Sequence, residues 1–236
     1  ANDRWTERFY LYKGKAYAGN GEDASVEDLS TAADAFEQAM EMGSSEAEEG
    51  LMMLKNTLVQ SAIKDQNVEN YQSASEKLRT SYELNKQDTL YLYYAAVNSL
   101  NAEDYNTALE YFEELKDLGY SGEGTEYVAT NIDTGEEDVW PNKGERDLLV
   151  KGGTHDNPQE TKIPSKRGEI AKYIALIYIN EGEDEKAMEA MEDARRENPE
   201  DVSLIQAEAD MYYRIDDMQK YRELMEEVVE KNPNDP

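Results

Sequence analysis

The chain has 236 residues, 39% hydrophobic and 33% charged, which suffices for one large folded domain or two small ones and excludes disorder throughout. Fifty-three acidic residues against 24 basic ones give a formal net charge of −29. Because this charge repels phosphate backbones and anionic lipid, it argues against nucleic acid as a partner and against membrane insertion.

The absence of cysteine excludes disulfide bonds, thiolate catalysis and cysteine-ligated metal sites. The longest apolar run, residues 173–179, is far shorter than the roughly 18 residues that span a bilayer, so we expect a soluble protein. The chain begins Ala1-Asn2-Asp3, without Met or an apolar signal segment. This start favours a trimmed or mature exported protein, for example one of a bacterial periplasm.

Residues 1–44 predict a helical hairpin with a long turn. Gly14 and Tyr17 fit the first helix. Small and aromatic residues at three- and four-residue steps fit the second helix, namely Ala32, Phe36 and Ala39. The stretch from Ser25 to Asp28 is typical of a capping box at the start of that helix.

The rest of the chain repeats with a period of 34 residues. A shift of 34 residues aligns Leu58 with Leu92, Ala74 with Ala108, Ala175 with Ala209, and Pro199 with Pro233. Within each unit, apolar residues recur at three- and four-residue steps over two stretches that a short polar break separates, which predicts two packed helices. We therefore assign further helical hairpins to residues 55–88, 89–122, 168–201 and 202–235.

Residues 123–167 do not fit this period and form an insert. Residues with high β-propensity flank Asp133-Thr134-Gly135, which predicts a β-hairpin. A short helix is expected over 143–150, followed by a coil that reaches Arg167. Basic residues outnumber acidic ones over 141–167, so two interpretations stay open: the insert braces the acidic helices, or it contacts a ligand or partner.

A 34-residue helix-turn-helix unit with small residues at fixed places, a step from Ala108 to Phe112 or Ala187 to Met191, and a closing proline resembles the tetratricopeptide repeat (TPR) family. The resemblance implies an all-α, right-handed solenoid of about five hairpins with a small insert that contains the β-hairpin. The first repeat units would occupy residues 1–122, the insert residues 123–167, and the last two units residues 168–236. No unit carries the family's Trp, and Tyr221 replaces the small residue of the last unit.

The resemblance implies non-catalytic binding of a protein or peptide in a groove lined by the first helix of each unit. Here that face would present Val59, Ile63, Tyr93, Val97, Lys172, Leu176, Gln206 and Asp210. Some relatives hold the carboxylate end of a chaperone with Lys and Asn on this face, but only Lys172 is basic here. An apolar and acidic groove would instead suit a peptide with apolar anchors and basic flanks.

The insert adds candidate contacts to a partner, namely Tyr127, Trp140, Lys143 and Arg146. Residues 232–236 close the last unit, and no polar capping helix follows them. Either the natural chain continues, or this end meets a partner in a larger assembly.

No motif predicts catalysis, a metal or a cofactor. His155, the only histidine, lies in a predicted coil with no further His or Cys nearby, so we interpret it as structural or solvated. An enzyme would need His155, Asp156 or Lys151 to converge on a pocket between insert and groove. A binder of small molecules or glycans, the alternative function, would need Trp140 and Tyr127 as an exposed aromatic platform.

Overall fold

The computed structural model of the chain describes residues 2–231, with the side chains of residues 2, 3 and 203 left aside. Eleven α-helices, one 3₁₀ helix and three β-strands lie in this range. They group into two compact units, Ala1–Leu118 and Gly119–Pro236. Among the described residues, no helix is long and apolar enough to cross a membrane.

The first unit consists of three helical hairpins. They pair α1 (Asn2–Tyr17) with α2 (Val26–Glu41), α3 (Ser45–Asn67) with α4 (Tyr71–Leu84), and α5 (Thr89–Asn101) with α6 (Tyr105–Asp117). The 3₁₀ helix, Ala18–Asp23, lengthens the first turn. The second helix of each hairpin packs against the first helix of the next, α2 on α3 and α4 on α5, so the hairpins stack in chain order.

Phe36 on α2 joins the first two hairpins. A Cβ atom added to Gly14 on α1 would lie 2.6 Å from the Phe36 ring, and one added to Gly50 on α3 would lie 2.8 Å from it. Both distances are shorter than carbon contacts allow, so glycine at these two positions lets both helices approach the ring. The Ser25 hydroxyl accepts a hydrogen bond from the Asp28 amide at 3.1 Å and caps α2.

The second unit contains a small sheet and two hairpins. The sheet has β1 (Gly124–Asn131), β2 (Glu137–Trp140) and β3 (His155–Ile163) in the antiparallel order β2-β1-β3. Helix α7 (Lys143–Lys151) packs against all three strands. The hairpins pair α8 (Arg167–Glu181) with α9 (Asp184–Glu197) and α10 (Val202–Arg214) with α11 (Met218–Lys231).

The predicted fold class is confirmed: five helical hairpins and a small β-containing insert lie in the described residues. The residue boundaries assigned to the repeats and the insert stay a prediction. Pro233 and the other residues of 232–236 lie outside the described residues.

The coil predicted after residue 153 is wrong, because residues 155–163 form strand β3. Its sequence is polar and contains Pro158, which cannot donate a ladder hydrogen bond. The register with β1 shifts here, and Asn157 has a φ of +48°, as at a β-bulge. Since β3 is an edge strand, a bulge and a proline are tolerated in it.

Candidate partner-binding site

A surface pocket of about 560 Å³ lies where the insert enters α8 and where α9 turns into α10. It is lined by Pro164, Ser165, Glu169, Lys172, Tyr173, Glu197, Asn198, Pro199, Glu200 and Asp201. We call it the α8 pocket. It therefore combines Lys172, one of the predicted groove residues, with the turn in which Pro199 ends the repeat.

Local hydrogen bonds hold the walls of the α8 pocket. The Lys166 amide donates to the Ser121 carbonyl at 2.6 Å, and this bond joins the segments that enter and leave the insert. In the α9–α10 turn, the Asp201 amide donates to the Asn198 carbonyl at 3.2 Å. The Arg195 guanidinium donates to the Pro199 carbonyl at 3.1 Å. The first of these bonds joins segments that are distant in sequence, and the other two fix the turn between α9 and α10.

The lining of the α8 pocket is acidic, with four carboxylates against the single ammonium of Lys172. The Glu169 carboxylate accepts hydrogen bonds from the Tyr173 hydroxyl at 3.0 Å and from the Lys166 ammonium at 2.9 Å. Burial and the neighbouring Glu169 raise the pKa of Tyr173 to about 12. The ion pair with Lys231 lowers the pKa of Glu200. Lysines outside the lining thus partly balance Glu169 and Glu200, while Glu197 and Asp201 add two further carboxylates to the lining.

The four predicted groove residues of the second unit lie on α8 and α10, the first helices of its two hairpins. Lys172 is half-buried in the pocket wall, and Leu176, one turn later, is 39% exposed. Gln206 and Asp210 are exposed one turn apart on α10. Leu176 thus places an apolar surface one helical turn beyond the pocket on α8, while contact between these residues and a partner stays a prediction.

The four predicted groove residues of the first unit lie on α3 and α5. Ile63 is 43% exposed, whereas Val59 and Val97 are half-buried. Tyr93 is buried, with only 5% of its surface exposed, and its ring meets the Tyr94 ring edge to face at 5.6 Å. It therefore presents little surface to a partner, and its predicted contact is untested.

The exposed apolar residues of α5 are Leu90 and Tyr94, at 46% and 43%. Neither belongs to the groove residues predicted from the sequence. The signal was their spacing: Leu90, Tyr94 and the half-buried Val97 follow one another at helical steps on one side of α5.

Tyr127 and Trp140, the candidate aromatic platform, are directly opposite each other on β1 and β2 and are half-buried. The Arg146 guanidinium lies 5.6 Å from the centre of the Tyr127 ring. The His155 ring meets Trp140 edge to face at 5.0 Å. Both rings therefore pack within the insert. Less of their surface is then available for the alternative function, the binding of a glycan.

Two buried polar side chains hold the insert together. Arg146 on α7 donates to the Gln159 carbonyl at 2.7 Å and to Asp147 at 2.8 Å. His155 begins β3, rather than lying in a coil, and its Nε2 is 2.8 Å from an Asp138 oxygen. That hydrogen bond lowers the pKa of Asp138. His155 therefore has a specific hydrogen-bond partner, Asp138, within the insert.

The remaining candidate of the insert, Lys143, is exposed and donates to Glu160 at 2.7 Å. The charges of Lys143 and Arg146 thus meet carboxylates of the insert itself. His155, Asp156 and Lys151 do not line the α8 pocket. Within residues 2–231, no group of three or more His, Cys, Asp or Glu side chains could hold a metal ion.

No protein-family profile matches the chain, and no curated protein matches it. A double mutant of MamA from Desulfovibrio magneticus RS-1 aligns over 97% of this chain and 95% of its own, with a TM-score of 0.50 and 15% identity. MamA of strain AMB-1 aligns over 98% and 93%, with a TM-score of 0.50 and 11% identity. MamA is a TPR protein. The chain has a TPR-like fold.

YrrB, described as a TPR protein with an unusual peptide-binding site, aligns over 95% of this chain and 86% of its own, with a TM-score of 0.47 and 13% identity. At such identities the likeness concerns the fold alone. In a TPR-like fold, α8 and α10 are first helices, the type that carries the predicted groove residues. Any role of the α8 pocket therefore depends on its own side chains.

Proposed function

We propose that the chain is a non-catalytic scaffold that binds an extended protein segment along the exposed faces of α8 and α10, the first helices of the hairpins in its second unit. The α8 pocket receives a basic side chain of that segment. Leu176, one turn further on, contacts an apolar side chain. The acidic lining of the pocket is the observation that carries this proposal.

The charge of the α8 pocket supports a Lys or Arg side chain as its occupant, and its size leaves room for neighbouring atoms of the bound segment. A volume of about 560 Å³ lies within the roughly 300–1,000 Å³ of typical ligand pockets. Carboxylates at the pocket mouth form charge-assisted hydrogen bonds with a guanidinium or ammonium group. The net charge of −29 also raises the local concentration of basic segments and speeds their encounter with the chain.

The insert contributes to the same site through Pro164 and Ser165 at its second stem. In this proposal, residues 1–122 and 168–236 are the repeat-bearing parts and residues 123–167 are the insert that borders the pocket. Lys143, exposed on α7 and paired with Glu160, is a further candidate contact of the insert with the partner.

The proposal is tested with short synthetic peptides that combine apolar residues with a central Lys, Arg or Glu, and binding is followed by fluorescence anisotropy. We expect the peptides with Lys or Arg to bind and those with Glu not to bind. Glu197→Lys, in the pocket lining, should weaken binding about tenfold by placing like charges together. Glu192→Lys, exposed on the same helix outside the pocket, is the matched control.

Equal binding of the Glu and Lys peptides would show that the pocket does not select a basic side chain. Equal effects of Glu197→Lys and Glu192→Lys would show that only the overall charge matters. Either result, or the absence of binding by all peptides, overturns the proposal.

A further inference from the structure

Helix α1 exposes an aromatic and basic surface. Trp5, Phe9 and Tyr12 are 73%, 62% and 63% exposed, and their spacing places them on one side of the helix. Arg4 and Arg8 are exposed beside them. We call these five residues the α1 face. The positive charge of this face contrasts with the net charge of the whole chain, which is −29.

Helix α11 exposes an apolar and acidic surface. A shallow groove of about 490 Å³ along it is lined by Tyr221, Arg222, Met225, Glu226, Val229 and Glu230. We call these six residues the α11 face. The three apolar side chains follow at four-residue steps; Val229 is 61% exposed, whereas Tyr221 and Met225 are half-buried. The α11 face is therefore an apolar stripe beside two carboxylates and one guanidinium.

The two faces belong to helix types that pack together elsewhere in the chain. The second helix of a hairpin packs against the first helix of the next in α2 with α3, α4 with α5, and α9 with α10. On α9, Ala187 and Met191 stand 34 residues before Tyr221 and Met225, and both are fully buried. Since α11 is a second helix and α1 a first helix, a contact between them would be of the same kind.

We propose that the α11 face of one copy of the chain binds the α1 face of a second copy. The apolar stripe of each face covers that of the other. Arg4 and Arg8, four residues apart, are positioned to meet Glu226 and Glu230, which are also four residues apart. A basic face does not bind another basic face, so the contact joins unlike surfaces. Further copies can therefore add, or a ring can close.

The chemistry of both faces argues for a second copy as the occupant. Each face has large apolar side chains and a charge opposite to that of the other, and every copy carries both. One helix face per partner is a small interface, so we expect a dissociation constant of roughly 0.1 mM. Salt of about 0.15 M, with a screening length of about 8 Å, suppresses the general repulsion between two acidic chains.

The test is sedimentation velocity of the whole chain over a concentration series in that salt. We expect the mean mass to rise with concentration. Arg8→Glu alone and Glu226→Arg alone should each weaken association about tenfold, because each places like charges together. An equimolar mixture of the two variants should recover the association, since each face then meets its opposite charge in the other variant.

Phe9→Glu removes an apolar anchor and should abolish the rise in mass, whereas Leu148→Glu, 70% exposed on α7, should leave it unchanged. Circular dichroism checks that each variant is folded. A chain that stays monomeric at all concentrations overturns the proposal. So does association that these substitutions leave unchanged, or a mixture that fails to recover.

Discussion

Asn198 fills the space beside Gly168. A Cβ atom on Gly168 would lie 1.4 Å from the Asn198 Nδ2 and 2.6 Å from its Cγ. Gly168 is in the first turn of α8, and Asn198 directly follows α9. The missing side chain at residue 168 therefore lets the α9–α10 turn close against α8, and this approach forms one wall of the α8 pocket.

Gly168→Ala should destabilise the protein. Without a clash, alanine inside a helix is favoured over glycine by about 1 kcal/mol, but here Asn198 has to move. We expect a net loss of about 1–3 kcal/mol in the free energy of unfolding, as for other overpacked sites, measured by urea denaturation. Gly144→Ala, whose Cβ would lie 3.5 Å from its nearest neighbour, should be neutral or stabilising. Asn198→Ala combined with Gly168→Ala should restore most of the loss.

Phe36→Ala should remove the packing that joins the first two hairpins. The ring is 3% exposed and contacts α1 and α3 at their glycines, so truncation leaves a cavity worth about 3–5 kcal/mol of unfolding free energy. Phe9→Ala, at 62% exposure, should change the stability of the dilute chain little. A small effect of Phe36→Ala would mean that the two hairpins do not depend on this ring.

Arg146→Ala should loosen the insert. It leaves the Gln159 carbonyl without its charged donor in a part-buried contact, a loss of about 1.5–3 kcal/mol for hydrogen bonds of this type. Hydrogen exchange read by mass spectrometry should show faster exchange in β1, β3 and α7 and unchanged exchange in α3 to α5. Lys143→Ala breaks only an exposed ion pair and should leave the stability nearly unchanged. Equal protection of the insert in both variants would contradict the role given to Arg146.

Tyr173 should make the stability of the protein fall at alkaline pH. The folded state raises the pKa of Tyr173 to about 12 from 10.0, so the folded chain keeps this proton longer than the unfolded chain. The contribution is complete below the unfolded pKa and is lost as pH rises towards the folded pKa. Tyr173→Phe should therefore lose less stability than the wild type between pH 8 and pH 11. Urea denaturation at both pH values gives this difference, and equal losses would contradict the shift.

The helical hairpins could be predicted from the sequence because their signals are local. Apolar residues at three- and four-residue steps mark the buried side of each helix, and the aligned residues Ala108, Ala175 and Ala209 are fully buried. The period of 34 residues shows that the same helical hairpin recurs along the chain. This recurrence is sufficient to predict stacking. The predicted β-hairpin likewise rested on its short turn.

The tertiary structure alone decided the features that depend on distant segments. Strand β3 has a polar sequence, and its hydrogen bonds to β1 hold it in the extended conformation. Tyr93 is buried and Tyr94 exposed because neighbouring helices select which side of α5 is covered. The α8 pocket exists because Asn198 fits against Gly168, 30 positions earlier in the printed sequence. Periodicity reports which side of a helix is buried, whereas a pocket requires the meeting of segments that no local pattern connects.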